Sequence, residues 1–106
     1  MFIAKVVGSL VSTQKVDSFV GRKLMIVEPY RIDPEKHDSL VTTQRTFVAV
    51  DLIGAGIDDY VLITQGSSAR MTPLTKDLPV DTVIIGIVDQ VQLDRQNIYS
   101  RNNPQA

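Results

Sequence analysis

Three short runs of this 106-residue chain place apolar side chains at consecutive positions: 24–27, 61–63 and 83–85. An antiparallel strand with one face in water alternates apolar and polar residues, whereas these runs need cover on both faces. A chain of this length forms one compact domain with a single interior. We therefore expect the outward side chains to be covered by loops, by a short helical turn or by a neighbouring copy, and we favour the copy for much of that surface.

Five segments have the β-branched composition of strands and are bounded by Gly, Pro, Asp or Ser. They span residues 2–12, 23–28, 46–51, 60–64 and 82–93, and none shows the apolar recurrence of an amphipathic helix. With glycines at the expected bends, Gly8 and Gly86, they predict an all-β fold, a small closed or nearly closed barrel. A serine after Gly66 predicts one short helical turn. Residues 1–93 form the predicted domain, and 94–106 a polar tail that is either frayed or held by a partner.

The charge balance argues against a polyanion partner. Eleven basic and twelve acidic residues give a formal charge of −1, the basic residues are scattered singly, and Trp is absent. Nucleic-acid binders usually gather a basic excess on one face. No apolar run approaches the ~20 residues that span a bilayer, and the N-terminus does not resemble a signal peptide. The lack of cysteine excludes a disulfide framework and agrees with a cytoplasmic location.

Two glycine-containing segments are candidates for ligand contacts. Gly54-Ala55-Gly56 resembles the start of a dinucleotide fingerprint, but Asp59 stands at the third glycine position and no long helix follows. The interpretation we favour is a tight turn. The segment from Gly66 to Arg70 is a candidate for presenting backbone N–H groups to an anion, but it lacks the lysine of a phosphate loop. A structural role that positions Arg70 against another chain is favoured.

Groups suited to catalysis or metal binding are scarce. Asp58 and Asp59 are adjacent, so on an extended segment they point in opposite directions and form no acid–base pair. His37 is the only histidine and lies in a charged loop, where we expect it to be solvated. No cysteine is available and no carboxylate cluster has the spacing of metal ligands. We therefore expect no cofactor, no metal and no enzymatic activity.

Several short motifs occur in a specific order along residues 2–91. Ala-Lys-Val-Val-Gly stands at 4–8, Lys-Leu-Met-Ile-Val at 23–27, and Ala-Val-Asp at 49–51 before the glycines at 54 and 56; Gly-Ser-Ser-Ala-Arg follows at 66–70, and Val-Ile-Ile-Gly-Ile-Val-Asp at 83–89. In this order and spacing the chain is similar to the EutN/CcmL family of bacterial microcompartment shell proteins. Residues 30–44 and the polar tail are longer than the family pattern, which leaves their conformations open.

The resemblance implies a five-stranded barrel like an OB-fold, assembled as a cyclic homopentamer. Such pentamers cap the vertices of polyhedral shells in the cytoplasm, whose facets are built from hexameric shell proteins of another fold. A flat hexagonal sheet closes only where fivefold positions are introduced, so the implied function is geometric. The resemblance also implies contacts around the fivefold axis from the two glycine-containing segments: Gly54, Ala55, Gly56, Gly66, Ser67, Ser68 and Arg70.

Two other functions stay open at this point. OB-like barrels also bind single-stranded nucleic acid or ligands, by stacking on aromatic side chains in a basic groove. Phe47 and Tyr60 are candidates for such stacking, but the sequence places no basic cluster beside them. A small enzyme is the second alternative, and it needs a convergent polar site that these residues do not supply.

Overall fold

The computed structural model describes residues 1–11, 23–66 and 81–101 of the chain. These residues form the strands β1 (Phe2–Leu10), β2 (Lys23–Ile32), β3 (Leu40–Thr42), β4 (Phe47–Asp51), β5 (Tyr60–Gln65), β6 (Thr82–Ile87), β7 (Gln90–Leu93) and β8 (Gln96–Ser100). Of the segment predicted to make a short helical turn, only Gly66 is described. Ser67, Ser68 and Arg70 lie outside the described residues.

Five of the strands close into a barrel. The hydrogen-bonded order is β1-β5-β6-β4-β2, and β2 pairs back with β1 to complete the circle. All of these pairs are antiparallel except β4 with β6, which run parallel. A five-stranded Greek-key barrel with this strand order is the OB-fold arrangement. The predicted all-β barrel is therefore confirmed, and each of its five strands overlaps one of the five predicted segments.

The barrel interior holds one apolar core. Inward side chains from all five strands meet there, and Phe47 and Ile87 pack against them; the buried members are Ala4, Val6, Met25, Val27, Ala49, Ala55, Val61, Ile63 and Ile84. A second cluster lies outside, where Val50 and Val83 are buried among Leu24, Leu52 and Ile85. The chain thus covers the outer side of β4 at Val50 and of β6 at Val83 itself. The expectation that these runs are apolar on both faces is correct, but a neighbouring copy is not needed to bury this part.

β2 is longer than the sequence predicts. A proline was expected to end it at Glu28, yet the strand continues through Pro29 to Ile32. Pro29 lies where pairing with β4 has ended at Val27 and pairing with β3 begins at Tyr30, so one side of the ladder is interrupted at the residue that lacks an N–H. Its carbonyl accepts hydrogen bonds from the backbone N–H and the hydroxyl of Thr43, which fixes the β3–β4 loop.

The last predicted strand is two strands, and a further one follows it. Residues 82–93 divide at Val88 and Asp89 into β6 and β7, and β7 pairs with β8 in a hairpin that contains Gln96–Ser100. The polar tail was predicted to begin at Asp94, but Ile98 and Tyr99 are buried. Because most of their neighbours in sequence are polar, the pattern did not identify Ile98 and Tyr99 as part of a strand. The division of the chain at residue 93 stays a prediction, although the hairpin crosses it.

Candidate functional site

An apolar surface lies on the outside of three neighbouring barrel strands. Ile26 of β2 faces the same side as Gly8 of β1 and Val48 of β4, its partners in register, because side chains opposite each other on paired strands share a face. Leu10 pairs with Leu24 in the next row. We call this surface the outer apolar face and define it as Leu10, Leu24, Ile26 and Val48.

The single chain leaves much of the outer apolar face in contact with water. Val48 is 47% exposed and Leu10 is 39% exposed, and Val7, at the irregularity of β1 beside Gly8, is 42% exposed. Isolated exposed apolar residues are ordinary, but contiguous ones on adjacent strands are typical of a contact surface. The outer apolar face is the clearest candidate for subunit contact in the described part of the chain.

The Gly54-Ala55-Gly56 turn is built around a buried carboxylate. The Asp51 side chain has no exposed area, and its Oδ1 accepts from the N–H of Ile53 and of Gly54, each at 3.0 Å. Its Oδ2 accepts from the N–H of Ala55 at 2.8 Å. Gly54 adopts a φ of 84°, a conformation that favours glycine. This confirms that the segment is a tight turn.

Two further contacts hold this turn against the barrel. Lys23 Nζ lies 3.5 Å from Asp51 Oδ2 and donates to the carbonyl of Ala55 at 2.9 Å. The Asp59 carboxylate accepts from the N–H of Gly56 at 2.9 Å. The Ala55 side chain is part of the inner core and is fully buried, whereas Gly54 and Gly56 are exposed. Of the three residues, only the two glycines offer surface to another molecule.

Gly66 is the first residue of the second candidate segment, residues 66–70, and it forms a backbone hydrogen bond. Its N–H donates to the carbonyl of Asp81 at 2.8 Å, and its φ of 68° again favours glycine. Gly66 and Asp81, which flank residues 67–80, are therefore joined by a backbone hydrogen bond. Gly66 is exposed and directly follows β5, whereas the turn at Gly54 precedes that strand.

The C-terminal hairpin is attached to the barrel by a row of tyrosines that the sequence analysis did not find. Tyr99 of β8 packs on Tyr60 of β5 with ring centres 4.5 Å apart, and Tyr60 contacts Tyr30 of β2 edge to face at 5.3 Å. Burial raises the pKa of all three phenols above the usual tyrosine value. Arg101 adds ion pairs of 3.6 Å to Asp59 and 3.7 Å to Asp89.

The residues considered for catalysis are placed apart or in surface pairs. His37 Nδ1 lies 3.3 Å from Asp94 Oδ2 in an exposed contact between a loop and the hairpin turn. Asp58 is exposed beside Lys5, and Asp59 is engaged by Gly56 and Arg101. Within residues 1–11, 23–66 and 81–101, no three His, Asp or Glu residues converge in a way that would hold a metal ion. The described residues contain no helix that is long and apolar enough to cross a membrane.

One expectation about aromatic residues is wrong. The sequence places no basic cluster beside Phe47, but the structure brings Arg31 and Arg45 into the same cleft as Phe47 and Phe2, at the mouth of the barrel. Arg31 belongs to β2 and Arg45 to the β3–β4 loop, so their proximity depends on the tertiary fold and is not visible in the sequence. Tyr60 is not part of this cleft, because it is packed between two other tyrosines.

Known proteins resemble this chain along nearly its whole length. The carboxysome shell vertex protein CcmL of Gloeobacter violaceus is 38% identical over 103 residues, covering 97% of each chain. Its solved structure superposes with a TM-score of 0.82 over 96% of this chain and 99% of that one. The microcompartment shell vertex protein PduN of Salmonella typhimurium is 42% identical over 89 residues, 84% of this chain and 96% of PduN.

A structure described as pentameric is also similar. GrpN, a pentameric microcompartment shell protein from Rhodospirillum rubrum, has a TM-score of 0.72 at 35% identity, covering 88% of this chain and 98% of GrpN. The family model described as ethanolamine utilisation protein EutN/carboxysome matches residues 1–89. With that match, this barrel and these relatives, the chain belongs to the EutN/CcmL family.

Proposed function

We propose that five copies of this chain form a ring that closes the vertices of a bacterial microcompartment shell in the cytoplasm. The observation that carries the proposal is the similarity along the whole chain to proteins described as shell vertex proteins, together with a similar structure described as pentameric. A shell assembled from hexamers on a flat lattice needs fivefold units to close. The mechanism is therefore interface formation, and the chain catalyses no reaction.

The ring requires two different faces on each copy. A cyclic assembly other than a dimer is heterologous, so a surface on one subunit meets a different surface on the next. We assign the outer apolar face to one side of this contact, because Val48 and Leu10 expose apolar area there. The single chain covers the neighbouring surface at Val50 and Val83, so the need for a second copy is confined to the uncovered part.

In this proposal, the two glycine-containing segments lie near the subunit contacts around the fivefold axis. Gly54, Gly56 and Gly66 are exposed, and their N–H groups donate to the carboxylates of Asp51 and Asp59 and to the carbonyl of Asp81, which suits a fixed contact between subunits. Arg70 makes a cross-subunit ion pair or carbonyl contact in this proposal. Arg70→Ala is expected to lower the thermal stability of the ring, and an unchanged pentamer mass and melting temperature would refute this assignment.

A charged substitution tests the outer apolar face. Val48→Asp puts a carboxylate into an interface that excludes water, so we expect native mass spectrometry to show monomers in place of rings. Gln92→Asp, at an exposed position of β7 outside that face, is the matched control and should leave the ring intact. If Val48→Asp assembles as the parent chain does, the outer apolar face is not a subunit contact.

Shell closure is the direct test of the vertex function. The chain, with and without Val48→Asp, is produced together with hexameric microcompartment shell proteins, and the particles are viewed by electron microscopy. We expect closed polyhedra with the parent chain, and open sheets or tubes when it is omitted or cannot form rings. Closed polyhedra in its absence would show that it is not needed at the vertices. Binding of single-stranded oligonucleotides at low salt, with no effect on shells, would favour the alternative OB-like binding module.

A further inference from the structure

The open mouth of the barrel forms a cleft of about 710 Å³. Its walls come from the strands β1 to β5 and from the β3–β4 loop, and the lining residues that matter here are Phe2, Arg31, Thr42, Arg45 and Phe47. Sites for small ligands commonly have volumes of ~300–1,000 Å³, and the mouths of β-barrels are among the places where they occur. The size and position of this mouth cleft therefore match those of a ligand site.

The charge of the mouth cleft has one sign. Arg31 and Arg45 both line it, and no Asp or Glu is among the lining residues. Within the described part of the chain, neither guanidinium lies within ion-pair distance of a carboxylate, whereas Arg101 pairs with two acids at another surface. Two arginines in one cleft without an acid favour an anion, and planar guanidinium groups are suited to carboxylate or phosphate oxygens.

The loop that carries Arg45 is fixed by its own hydrogen bonds. Thr43 is held to the carbonyl of Pro29 through both its N–H and its hydroxyl, at 3.1 and 2.8 Å. The Gln44 N–H donates to the hydroxyl of Thr42 at 2.9 Å, so the hydrogen of that hydroxyl is available to another acceptor. A fixed loop loses little conformational entropy when a ligand binds beside it.

Part of the mouth cleft is apolar. Phe2 and Phe47 lie at the end of the inner core, and Phe2 is 49% exposed although it is on the inward side of β1. An aromatic side chain left partly exposed at a barrel mouth is available to pack against the apolar part of a ligand. The positive charge and the apolar wall of the mouth cleft together fit a ligand that has an anionic group and an apolar body.

We infer that the mouth cleft binds a small organic anion, a carboxylate or phosphate ester that carries an aromatic or aliphatic group. Arg31 and Arg45 contact the anionic group, and Phe2 and Phe47 contact the apolar body. A nucleic-acid strand is disfavoured, because grooves for single strands follow the backbone with a row of cations, and this cleft has two. The site does not depend on the vertex function and leaves the outer apolar face free.

Calorimetric titration of the intact chain tests the site with four probes: benzoate, phenyl phosphate, the neutral benzamide, and a short oligothymidylate. We expect saturable binding of one or both anions that weakens as sodium chloride is added, and no binding of benzamide. The comparison of benzoate with phenyl phosphate distinguishes a carboxylate ligand from a phosphate ligand. Arg45→Gln should weaken anion binding by about tenfold or more, since it removes a charge-assisted hydrogen-bond donor.

Arg95→Gln is the matched control, because it removes the same charge from an exposed turn outside the mouth cleft. It should leave the affinity within about twofold, since Arg95 does not line the mouth cleft and exposed charges that make no direct contact are weakened by salt. The proposal is overturned if neither anion saturates, if benzamide binds equally well, if both variants lose the same affinity, or if only the oligothymidylate binds. The mass of each sample is measured as well, so that a pentamer without anion binding refutes this site alone, and a monomer that binds refutes the vertex function alone.

Discussion

The buried carboxylate of Asp51 supports the turn that contains Gly54 and Gly56. It accepts three backbone N–H groups, and the bond from Ala55 is fully buried. Asp51→Ala leaves that N–H without an acceptor, and hydrogen bonds to charged groups contribute about 1.5–3 kcal/mol each. Water replaces part of the two remaining bonds, which are only partly buried, so we expect the free energy of unfolding to fall by about 3–4 kcal/mol.

Two further variants separate the contributions. Asp51→Asn keeps one oxygen for two of the three N–H groups but turns an amide N–H toward Ala55 and Lys23, so a cost of about 2 kcal/mol is expected. Lys23→Met leaves the backbone bonds in place and removes an ammonium group that is half exposed, which should cost about 1 kcal/mol or less. The expected order of cost is therefore Ala, Asn, Met, because Ala removes all three bonds to the buried carboxylate, Asn removes one of them, and Met removes only the contacts of a half-exposed ammonium group.

Urea unfolding followed by far-ultraviolet circular dichroism measures these values, with all variants at one subunit concentration because assembly affects stability. Asp58→Asn is the control: the side chain is 80% exposed, its contact with Lys5 is 3.8 Å, and asparagine tolerates the φ of 73° at this position, so a change of about 0–1 kcal/mol is expected. If Asp51→Ala unfolds within 1 kcal/mol of the parent chain, the turn does not depend on this carboxylate.

Three other expectations concern the C-terminal hairpin. Arg95 has a φ of 65° in the β7–β8 turn, so Arg95→Gly should stabilise the chain by about 0.5–1 kcal/mol in urea unfolding; a loss of stability would contradict that geometry. Tyr99→Ala removes a buried ring and should cost about 3 kcal/mol and speed amide hydrogen exchange across β7 and β8, whereas Tyr99→Phe should preserve slow exchange. Burial raises the pKa of Tyr60, so its contribution is present below about pH 10 and is lost as the pH rises through the folded-state pKa. Urea unfolding should therefore show stability falling above about pH 10, and less steeply for Tyr60→Phe; parallel curves would contradict this.

The barrel was predictable because its strands carry a local signal. The β-branched runs at 24–27, 61–63 and 83–85 identify β2, β5 and β6 directly, and their lack of alternation anticipates the second apolar cluster around Val50 and Val83. Local composition was also sufficient to identify the turn at Gly54, since glycine there meets a positive φ.

The hairpin was not predictable, because its signals are weak. Its turn is formed by Asp94 and Arg95, both with positive φ, in place of the Asn-Gly or Asp-Gly pairs that favour such turns. Ile98 and Tyr99 are buried by packing against distant strands, and polar residues precede them in sequence. Pattern alone indicates a tail at these positions.

The mouth cleft was missed for a different reason. Arg31 and Arg45 are separated by 14 positions and belong to different elements, so their convergence depends on the pairing of β2 with β3 and on the loop bonds from Thr43 to Pro29. The same holds for Asp51, whose sequence position at a strand end is typical of a turn, while its burial and three hydrogen bonds are set by tertiary structure.

The central claim is the ring of five, and native mass spectrometry of the parent chain tests it most directly. Five copies of the 11.7 kDa chain have a mass of roughly 58 kDa. We expect that mass to persist as the sample is diluted, because each subunit in a closed heterologous ring uses both of its contact faces. A stable monomer or a dimer across the same concentrations would contradict the vertex function and leave the outer apolar face without an occupant.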